Sequence, residues 1–432
     1  MAVISHGRAR LLQATELLHA ILTQPQYPAD SAMDHYFSTH RKMGSKDRAF
    51  AAEAVYGCLR HKRELEALHA PVYKPELEKD KTHWLVAAWL LKYGGWSARA
   101  LADAGFNGTA VALVERIRAL DLFGFPLAVR ANLPDWLTEK LTREFGEEET
   151  LKLADALNQP ASVDIRVNAL KTGREALQTR LKEEGYELIP TPYSPFGLRR
   201  AKRGPLFTTE AFRNGWFELQ DEGSQLVGLL VEAQPKQKIA DFCAGAGGKT
   251  LQLAATMSNT GALYACDASA RRLDRLKPRL KRAGIDTIQR LTIRDEHDRK
   301  LVPLHGKMDT VLVDAPCSGT GTLRRNPDIK WKNIDLDELQ GVQRSILDAA
   351  SRLTKPGGRL VYATCSLLDE ENDVVVTAFL DSHLDFYMIS AQEVLVRQGV
   401  NLKDGFTGNG AMRLLPHRHG TDGFYAAVLV RR

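Results

Sequence analysis

Two cysteines stand directly after apolar, strand-like segments of the sequence. Cys317 lies in DAPCSGTG, residues 314–321, which follows the apolar stretch 310–313, and Cys365 lies in ATCS, which follows the stretch 359–363. A thiolate is a strong nucleophile, and the carboxyl ends of neighbouring parallel strands open onto one crevice. The spacing therefore allows two reactive thiols over the same crevice, although a buried thiol is more often a small apolar residue than a nucleophile.

A glycine-rich turn follows another apolar segment. Residues 241–250 read DFCAGAGGKT, and glycines here let the backbone turn sharply toward a ligand at the next helix N-terminus. A phosphate-binding P-loop would need glycine in place of Cys243, and a dinucleotide fingerprint would need a small residue in place of Thr250. An acidic strand end before a glycine turn is the arrangement used for adenosylmethionine, and Asp267, one strand later, is placed to accept both hydroxyls of a ribose. A tight turn beside a surface carboxylate is the simpler alternative.

These residue types together suit the methylation of an unreactive aromatic carbon, such as carbon 5 of cytosine. That carbon is barely nucleophilic, so an enzyme first adds a thiolate to carbon 6, which makes carbon 5 enamine-like. The addition needs a proton or hydrogen bond at ring nitrogen 3, and Asp314 is placed for this task. Carbon 5 must later lose its proton so that the thiolate can leave, a step that Cys317 is placed to assist.

The elements that position these residues form an α/β pattern in the C-terminal half. Short apolar segments at 238–243, 262–266, 310–313 and 359–363 alternate with helical stretches, of which Ser269 to Ala283 is the clearest. This alternation predicts a Rossmann-like α/β fold, a parallel sheet with helices on both faces. Its ligands are expected at the carboxyl ends of the strands, where the cysteines and the glycine turn stand.

The pattern predicts three domains. Residues 1–145 have apolar residues at helical spacing and few strand signals, which indicates an all-helical domain. Residues 146–215 combine helix and strand patterns in a small α+β unit, and residues 216–432 form the α/β domain. Acidic and basic side chains balance up to residue 150, so the net charge of +6 falls in the later part.

The small α+β unit ends in a basic loop. Predicted strands at 162–167 and 186–189 flank a predicted helix at 174–184. Four positive charges follow within five positions: Arg199, Arg200, Lys202 and Arg203. A solvated loop and a loop that contacts phosphates are both open at this point.

Composition excludes several classes of protein. The 432 residues are 44% hydrophobic and 26% charged, which is typical of a globular chain and compatible with a polyanionic partner. The five cysteines lie far apart without Cys-x-x-Cys, which argues against a disulfide framework or a zinc ribbon and favours reduced thiols in the cytoplasm. Neither a signal-peptide core nor an 18-residue apolar run is present, so no membrane partner is expected.

The residues above resemble a known family, the Nol/Nop/Sun RNA cytosine-5 methyltransferases, and most closely its Sun (Fmu) branch, which modifies small-subunit ribosomal RNA. The resemblance covers nearly the whole chain. Its most specific motifs are residues 314–321 with RRNPD at 324–328, ATCSL at 363–367 with acidic residues after it, and QDEGS at 220–224. The resemblance implies adenosylmethionine as the cofactor, ribosomal RNA as the partner and a monomer. His417 and His419 match a loop of the family, so no metal is expected.

The resemblance also implies a role for each matching residue. Cys365 is implied as the covalent nucleophile, Cys317 as a residue associated with product release, and Asp314 as a residue near the methyl centre. Asp267 is implied for the ribose and Asp295 for the adenine side. The implied cofactor contacts are Cys243, Ala244, Gly245, Ala246, Gly247, Gly248, Lys249, Asp267, Asp295 and Asp314. The family usually has CAAPGGK at this turn, whereas this chain has CAGAGGK.

The N-terminal third adds to the resemblance. SKDRAF at 45–50 and the segment 53–60 look like the NusB-like helical domain of the Sun branch, an RNA-binding accessory. DIRVNALK at 164–171 resembles the small unit that precedes the methyltransferase fold, with the RNA groove expected between that unit and the catalytic domain.

The basic residues differ in what we expect of them. We predict phosphate contacts for Arg324 and Arg325 at the mouth of the active site and for Arg199 and Arg200. The basic stretch 271–282 is expected to be the solvated outer face of a helix. Three alternative functions stay open: methylation of another RNA, a DNA cytosine methyltransferase that uses Cys317, and a non-catalytic RNA-binding factor.

Overall fold

Two compact units account for the chain. The structure, a computed structural model, describes residues 6–69, 78–106, 110–200, 204 and 206–432. The first unit contains the described residues up to Pro160 together with Thr322–Ile334, and the second contains Ala161–Gly321 and Asp335–Arg432. The three-domain division at residues 145 and 215 stays a prediction.

The first unit is helical, as its apolar spacing predicts. Its helices are α1 (His6–Thr23), α2 (Ala29–Thr39), α3 (Ser45–Arg60), α4 (Lys62–His69), α5 (Glu78–Lys92), α6 (Ala98–Asp103), α7 (Ala110–Ala119), α8 (Leu127–Arg130), α9 (Asp135–Phe145) and α10 (Glu147–Leu157). Leu11, Leu18 and Ile21 lie on one face of α1 and are buried. Gly57 of α3 lets Trp89 pack closely, since a Cβ there would lie 2.1 Å from the indole. The likeness of this unit to the NusB fold stays a prediction.

A short segment from far along the chain completes the helical unit. Thr322–Ile334, which we call the arm, contains a 3-10 helix at Pro327–Trp331. The indole Nε1 of Trp331 donates to the carbonyl oxygen of Leu59 at 2.9 Å, and Lys330 is 1% exposed. The arm is therefore part of the core of the first unit.

The second unit begins with a small antiparallel sheet. Its strands are β1 (Asp164–Val167), β2 (Leu188–Pro190), β3 (Gly197–Arg200) and β4 (Phe217–Leu219), in the order β2-β3-β1-β4. Helices α11 (Arg174–Glu183) and α12 (Glu210–Arg213) accompany it. The α+β prediction for this region is confirmed, with its second strand two residues later than expected.

A larger sheet forms the rest of the second unit. Its strands are β5 (Lys238–Asp241), β6 (Ala262–Asp267), β7 (Ile288–Thr292), β8 (Met308–Asp314), β9 (Thr354–Thr364), β10 (Phe386–Ile389), β11 (Met412–Leu414) and β12 (Phe424–Arg431). The order is β10-β12-β9-β8-β5-β6-β7, with β11 paired to β12. The four predicted strands are β5, β6, β8 and β9, and they pair in parallel at the centre of the sheet. Strand β12, which the sequence pattern did not single out, lies antiparallel to β9.

Helices pack against this sheet through their apolar sides. They are α13 (Glu222–Leu230), α14 (Gly248–Thr256), α15 (Ala270–Ala283), α16 (Leu336–Ser351), α17 (Asp373–Ser382), α18 (Ala391–Arg397) and α19 (Pro416–His419). The basic helix α15 buries Leu273 and Leu276 and is capped by Ser269, whose hydroxyl accepts from the Arg272 N–H. Most of its cations are exposed, as expected, but Arg279 and Arg282 are half-buried and pair with Glu218 of β4. None of the helices in the described ranges is long and apolar enough to cross a bilayer.

Candidate active site

The glycine turn after β5 is held by the carboxylate at the end of β6. Gly245 has a φ of 57° and Gly247 a φ of 82°, a left-handed backbone that favours glycine. The Gly245 N–H donates to Asp267 Oδ2 at 2.8 Å, and the Ser269 N–H donates to Asp267 Oδ1 at 2.7 Å. A Cβ at Gly247 would lie 2.2 Å from the Leu276 side chain, so only glycine fits the close approach of α15. The structure thus places Cys243 to Lys249 and Asp267 in one cradle.

Asp241 supplies a buried acceptor beneath this turn. Its Oδ2 accepts a hydrogen bond from Thr250 Oγ1 at 2.6 Å, whereas Oδ1 is buried without a hydrogen-bond partner. Burial raises the pKa of Asp241 to about 7, and the nearby carboxylates Asp314 and Asp267 add to this shift. An unpartnered buried oxygen beside a glycine turn suits a ligand that brings its own donors or positive charge. The cradle therefore fits a cofactor such as adenosylmethionine.

Lys249 and Asp314 form an ion pair at the carboxyl ends of β5 and β8. Lys249 Nζ lies 2.8 Å from Asp314 Oδ2, and the Lys249 side chain is 9% exposed against 33% for Asp314. Burial lowers the pKa of Lys249, but the charge of Asp314 and its hydrogen bond outweigh this, so the pKa lies above its ordinary value. The residue at position 249 is therefore a fixed cation next to the carboxylate predicted to act on the substrate.

The structure brings the two cysteines together. Strands β8 and β9 pair in parallel with Asp314 opposite Ala363, and the loops that follow place Cys317 Sγ 3.4 Å from Cys365 Sγ. The hydrogen bond with Cys365, then burial and the charge of Glu371, raise the pKa of Cys317 well above its ordinary value. Cys317 is therefore a protonated thiol at neutral pH.

One residue at this site was missed by sequence reasoning. Glu371 is fully buried and joins both cysteine loops, accepting from the Ser318 N–H at 2.7 Å and from the hydroxyl groups of Ser318 and Ser366. Gln343 Nε2 donates to the same carboxylate at 3.0 Å. The only sequence signal was the acidic run 369–371 after the Thr-Cys-Ser motif, and an acidic run more often lies in solvent.

Asp295 lies apart from this cluster. It follows β7, where its carboxylate accepts from Arg294 Nε at 2.7 Å and from the His297 N–H at 3.0 Å, and its side chain is 38% exposed. The nearby Ile293 N–H donates to the Asp267 carbonyl oxygen, so the turn is next to the cradle. Its contact with the adenine side stays a prediction.

Arg324 and Arg325 are not in the catalytic unit. Both belong to the arm, and the carbonyl oxygen of Arg324 accepts from Arg60 Nη2 at 3.0 Å. Lys330 and Trp331 anchor the arm in the helical unit, and the expected position of the two arginines at the mouth of the active site stays a prediction. A phosphate contact by these two arginines remains a prediction.

Two of the four basic residues predicted to lie in a loop, Arg199 and Arg200, are the last residues of β3. Arg199 forms a bidentate pair with Asp164 at 2.8 Å through both Nε and Nη2, so its charge is neutralised inside the unit. Its phosphate contact stays a prediction. Arg200 lies over the Tyr186 ring at 4.9 Å and stays a candidate, whereas Lys202 and Arg203 lie outside the described residues.

His419, near the C-terminus, serves the fold. His419 is buried, and its Nδ1 accepts from the Leu415 N–H at 2.9 Å. Across the described ranges, no group of three or more His, Cys, Asp or Glu side chains is arranged to hold a metal ion.

Comparison with known proteins agrees with this geometry. Residues 228–430 match the family described as 16S rRNA methyltransferase RsmB/F, and residues 133–206 match the ferredoxin-like domain of RsmF/B-like methyltransferases. "Probable ribosomal RNA small subunit methyltransferase B" of Synechocystis is 32% identical, over 93% of this chain and 94% of that protein. Ribosomal RNA small subunit methyltransferase B of Erwinia tasmaniensis is 31% identical, over 91% and 93%.

A solved structure shares nearly the whole architecture. The crystal structure of PH0851 superposes with a TM-score of 0.78 at 26% identity and covers 97% of this chain and 98% of its own. A methyltransferase homologue from Pyrococcus horikoshii gives a TM-score of 0.61 at 28% identity, over 71% and 98%. The chain therefore belongs to the RsmB/F family of 16S rRNA methyltransferases, enzymes that depend on adenosylmethionine.

Proposed function

We propose that this protein methylates carbon 5 of a cytosine in 16S rRNA through a covalent bond between Cys365 and carbon 6 of the base. The observation that carries this proposal is the pair of thiols 3.4 Å apart at the ends of β8 and β9. A methyltransferase that acts on a nitrogen or an oxygen needs no thiol, because those atoms are already nucleophilic. Two neighbouring thiols beside the ion pair of Lys249 and Asp314 instead suit an unreactive ring carbon.

The charges around the two sulfurs support Cys365 as the nucleophile. The electrostatic interaction of the buried cation Lys249 reaches Cys365, whereas the negative charge of Glu371 acts on Cys317. A cation stabilises the negative sulfur that an attacking thiol must become, and an anion opposes it. Cys317 keeps its proton because its hydrogen bond with Cys365 and its burial, followed by the charge of Glu371, raise its pKa.

The first half of the reaction follows from these positions. The cytosine leaves its stack and enters the crevice, as enzymes that act on a base require. The Asp314 carboxylate takes the proton of the Cys365 thiol as the sulfur forms a bond to carbon 6, the electrons of the ring shift toward nitrogen 3, and Asp314 passes the same proton to that nitrogen. Lys249, at 2.8 Å, stabilises the carboxylate that remains on Asp314. Adenosylmethionine, when bound, supplies the electrophilic methyl group that carbon 5 then takes.

The second half releases the product. The proton of carbon 5 passes to water, the proton on nitrogen 3 returns to Asp314, and the bond between carbon 6 and sulfur breaks with its electron pair on Cys365. The Cys317 thiol, 3.4 Å away, donates a hydrogen bond to the departing sulfur. This assigns to Cys317 a role in release and not in attack.

The test uses 16S rRNA transcribed with 5-fluorocytidine, whose fluorine blocks the loss required for release and traps the covalent intermediate. With adenosylmethionine present, wild type and Cys317→Ala are expected to shift on a denaturing gel, and Cys365→Ala is not. Cys58→Ala, in the helical unit, is the matched control because it removes a buried thiol outside the catalytic unit. A shift that depends on Cys317 and not on Cys365 would reverse the assignment. Methyl transfer to the RNA without any trapped adduct would refute the mechanism.

A further inference from the structure

Glu371 is a buried acid that the proposed steps do not use. It ends the 3-10 helix Asp369–Glu371, directly after the loop that carries Cys365, and its side chain is fully removed from solvent. An isolated carboxylate in a protein interior costs several kcal/mol unless hydrogen bonds compensate for lost hydration. The buried carboxylate therefore needs compensating hydrogen bonds. Its partners lie in the two cysteine loops and in helix α16, which packs against them.

The carboxylate is solvated by neutral donors from three elements. The Cys317 loop contributes the N–H and hydroxyl groups of Ser318, and the Cys365 loop contributes the hydroxyl of Ser366. Helix α16 contributes the Gln343 amide at 3.0 Å, which also donates to the Pro316 carbonyl oxygen at 3.0 Å. Hydrogen bonds to a charged acceptor are about twice as strong as neutral ones, and in a dry interior they are hard to exchange.

Each cysteine is thus followed by a serine bound to the same carboxylate. Ser318 follows Cys317, Ser366 follows Cys365, and the two serine hydroxyl oxygens lie 3.2 Å apart. These bonds tie the backbone next to each cysteine to one carboxylate, so the two loops cannot move apart without breaking at least one of them. The loops are also joined through the Gly321 N–H, which donates to the Cys365 carbonyl oxygen at 2.9 Å.

We propose that Glu371 is a positioning residue of the reaction. It holds the loops of Cys317 and Cys365 at their working separation, and its negative charge opposes ionisation of the Cys317 thiol. This inference rests on the proposed function. Glu371 touches no reacting atom and acts only through the two cysteine loops. Ser318 makes two of its bonds and Ser366 one, so the Cys317 loop is the more firmly tethered of the two.

The charge of Glu371 reaches Cys317, which also interacts with Cys365 and with the phenol of Tyr362, while Lys249 acts on Cys365. The groups that act on Cys317 are Cys365, at 3.4 Å, and Glu371, while the Gly319 backbone opposes them and lowers the pKa. Tyr362 packs on the other side of Glu371, where its hydroxyl donates to the backbone carbonyl oxygen of that residue at 2.7 Å. Removal of the negative charge should therefore make the Cys317 thiol easier to ionise.

The experiment compares Glu371→Gln with Glu370→Gln, which makes the same chemical change one residue away. The glutamine keeps the size of the side chain but removes its charge. Its amide N–H group also faces the donors of Ser318, Ser366 and Gln343, which the carboxylate accepts from. We expect kcat for methylation of the 16S transcript to fall about 10- to 100-fold, since misplacement of a reacting group by about 1 Å has that effect, with KM for RNA and adenosylmethionine within about threefold. Glu370→Gln is expected to stay within about threefold of wild type in both parameters.

A second readout separates positioning from simple structural damage. The rate of alkylation of Cys317 by iodoacetamide is followed against pH by mass spectrometry of its peptide, without RNA and in a Cys365→Ala background. The profile is expected to move to lower pH in Glu371→Gln and to stay in place in Glu370→Gln. Ser366→Ala, which removes one donor and keeps the charge, should lower kcat by a smaller factor with little change in this profile.

The outcomes test the role of Glu371 separately from the proposed function. Wild-type kcat in Glu371→Gln, or a loss of activity with an unchanged alkylation profile, would overturn the inference about Glu371. Absence of an adduct between wild type and 5-fluorocytidine RNA would overturn the proposed function instead, while the alkylation profile, which needs no RNA, would still report on the charge. If Glu371→Gln does not fold, Ser366→Ala must show the reduced kcat for the inference to stand.

Discussion

Glu371 and Lys330 are both buried charges in short 3-10 helices, one in each compact unit, and they are compensated in opposite ways. Glu371 collects N–H and O–H donors from the two cysteine loops and from Gln343. Lys330 collects oxygen acceptors: the carbonyl oxygens of Arg60 at 3.1 Å and Asn132 at 3.0 Å, and the side-chain oxygen of Asn158. Three acceptors match the three donors of an ammonium group.

The partners of Lys330 explain the difference. Arg60 is the last residue of α3, Asn158 caps α10, and Asn132 follows α8. Oxygen acceptors at and just after helix ends have no intrahelical partner, and the Lys330 amine supplies hydrogen-bond donors to three of them. Lys330 therefore binds groups at helix ends in the helical unit, whereas Glu371 binds the two loops that carry the reactive cysteines. Replacement of Lys330 should mainly change stability, and replacement of Glu371 should mainly change rate.

The largest effect that would test this contrast is expected for Lys330→Met in the helical unit. The apolar side chain leaves three buried oxygens without donors, and we expect a loss of roughly 2 to 5 kcal/mol in the free energy of unfolding. Urea unfolding followed by tryptophan fluorescence measures this unit, which holds five of the six tryptophans: Trp84, Trp89, Trp96, Trp136 and Trp331.

The matched control is Lys332→Met, which removes a lysine from the same arm. Lys332 is half-buried and pairs with Asp328 at 3.2 Å, and because Asp328 also accepts from the Ala29 N–H, the loss of Lys332 should cost less than the loss of Lys330. Equal midpoints for Lys330→Met and wild type would show that the buried cation does not organise the helix ends.

A smaller effect is expected in the pH dependence of stability. Burial, followed by the charge of Arg60, lowers the pKa of Lys330 from 10.5 to about 7. Between pH 7 and 10.5 the unfolded chain then binds more protons at this group than the folded chain does, so its contribution to stability rises with pH across that window. Below pH 7 the contribution is constant.

The measurement is the difference in unfolding free energy between wild type and Lys330→Met at several pH values. Wild type should gain on the variant by up to about 1.4 kcal/mol per pH unit between pH 7 and 10. The Lys332→Met variant should show no such trend relative to wild type. A difference that falls as pH rises would mean that the ammonium form is the one favoured by the fold.

The smallest effect concerns whether the arm does more than organise helix ends. Arg324 and Arg325 lie in the arm beside its buried part, and we predict that they contact RNA phosphates. Replacement of both with alanine should weaken binding of the 16S transcript and reduce the slope of log K against log salt by about 1 to 2.

The control for this prediction is the double variant Lys307→Ala with Lys403→Ala, which removes two exposed cations of the catalytic unit. Its salt slope is expected to stay near that of wild type. An unchanged slope in the arginine variant would restrict the arm to a structural role.

The central strands could be predicted because each is a continuous apolar run, as strands buried on both faces of a parallel sheet must be. Strand β12, FYAAVLVR at 424–431, carries the same signal, yet its place between β9 and β10 depends on pairing with distant segments. The helix after β6 was predictable in the same way, since its leucines recur at helical spacing among cations.

The sequence by itself determined which residues can do chemistry here. Thiols, a carboxylate and a glycine turn directly after apolar strands must lie at the carboxyl edge of the sheet, because a strand delivers the residue that follows it to that edge. This places Cys317, Cys365 and Asp314 without knowledge of their contacts.

Only the tertiary structure decided how charged residues are used. Glu371, Lys330 and Arg199 are charged residues without a partner nearby in the sequence pattern, yet each is held by groups far away in the chain. The free energy of a charge depends on burial and on the partners that packing supplies, and these are not properties of the local sequence.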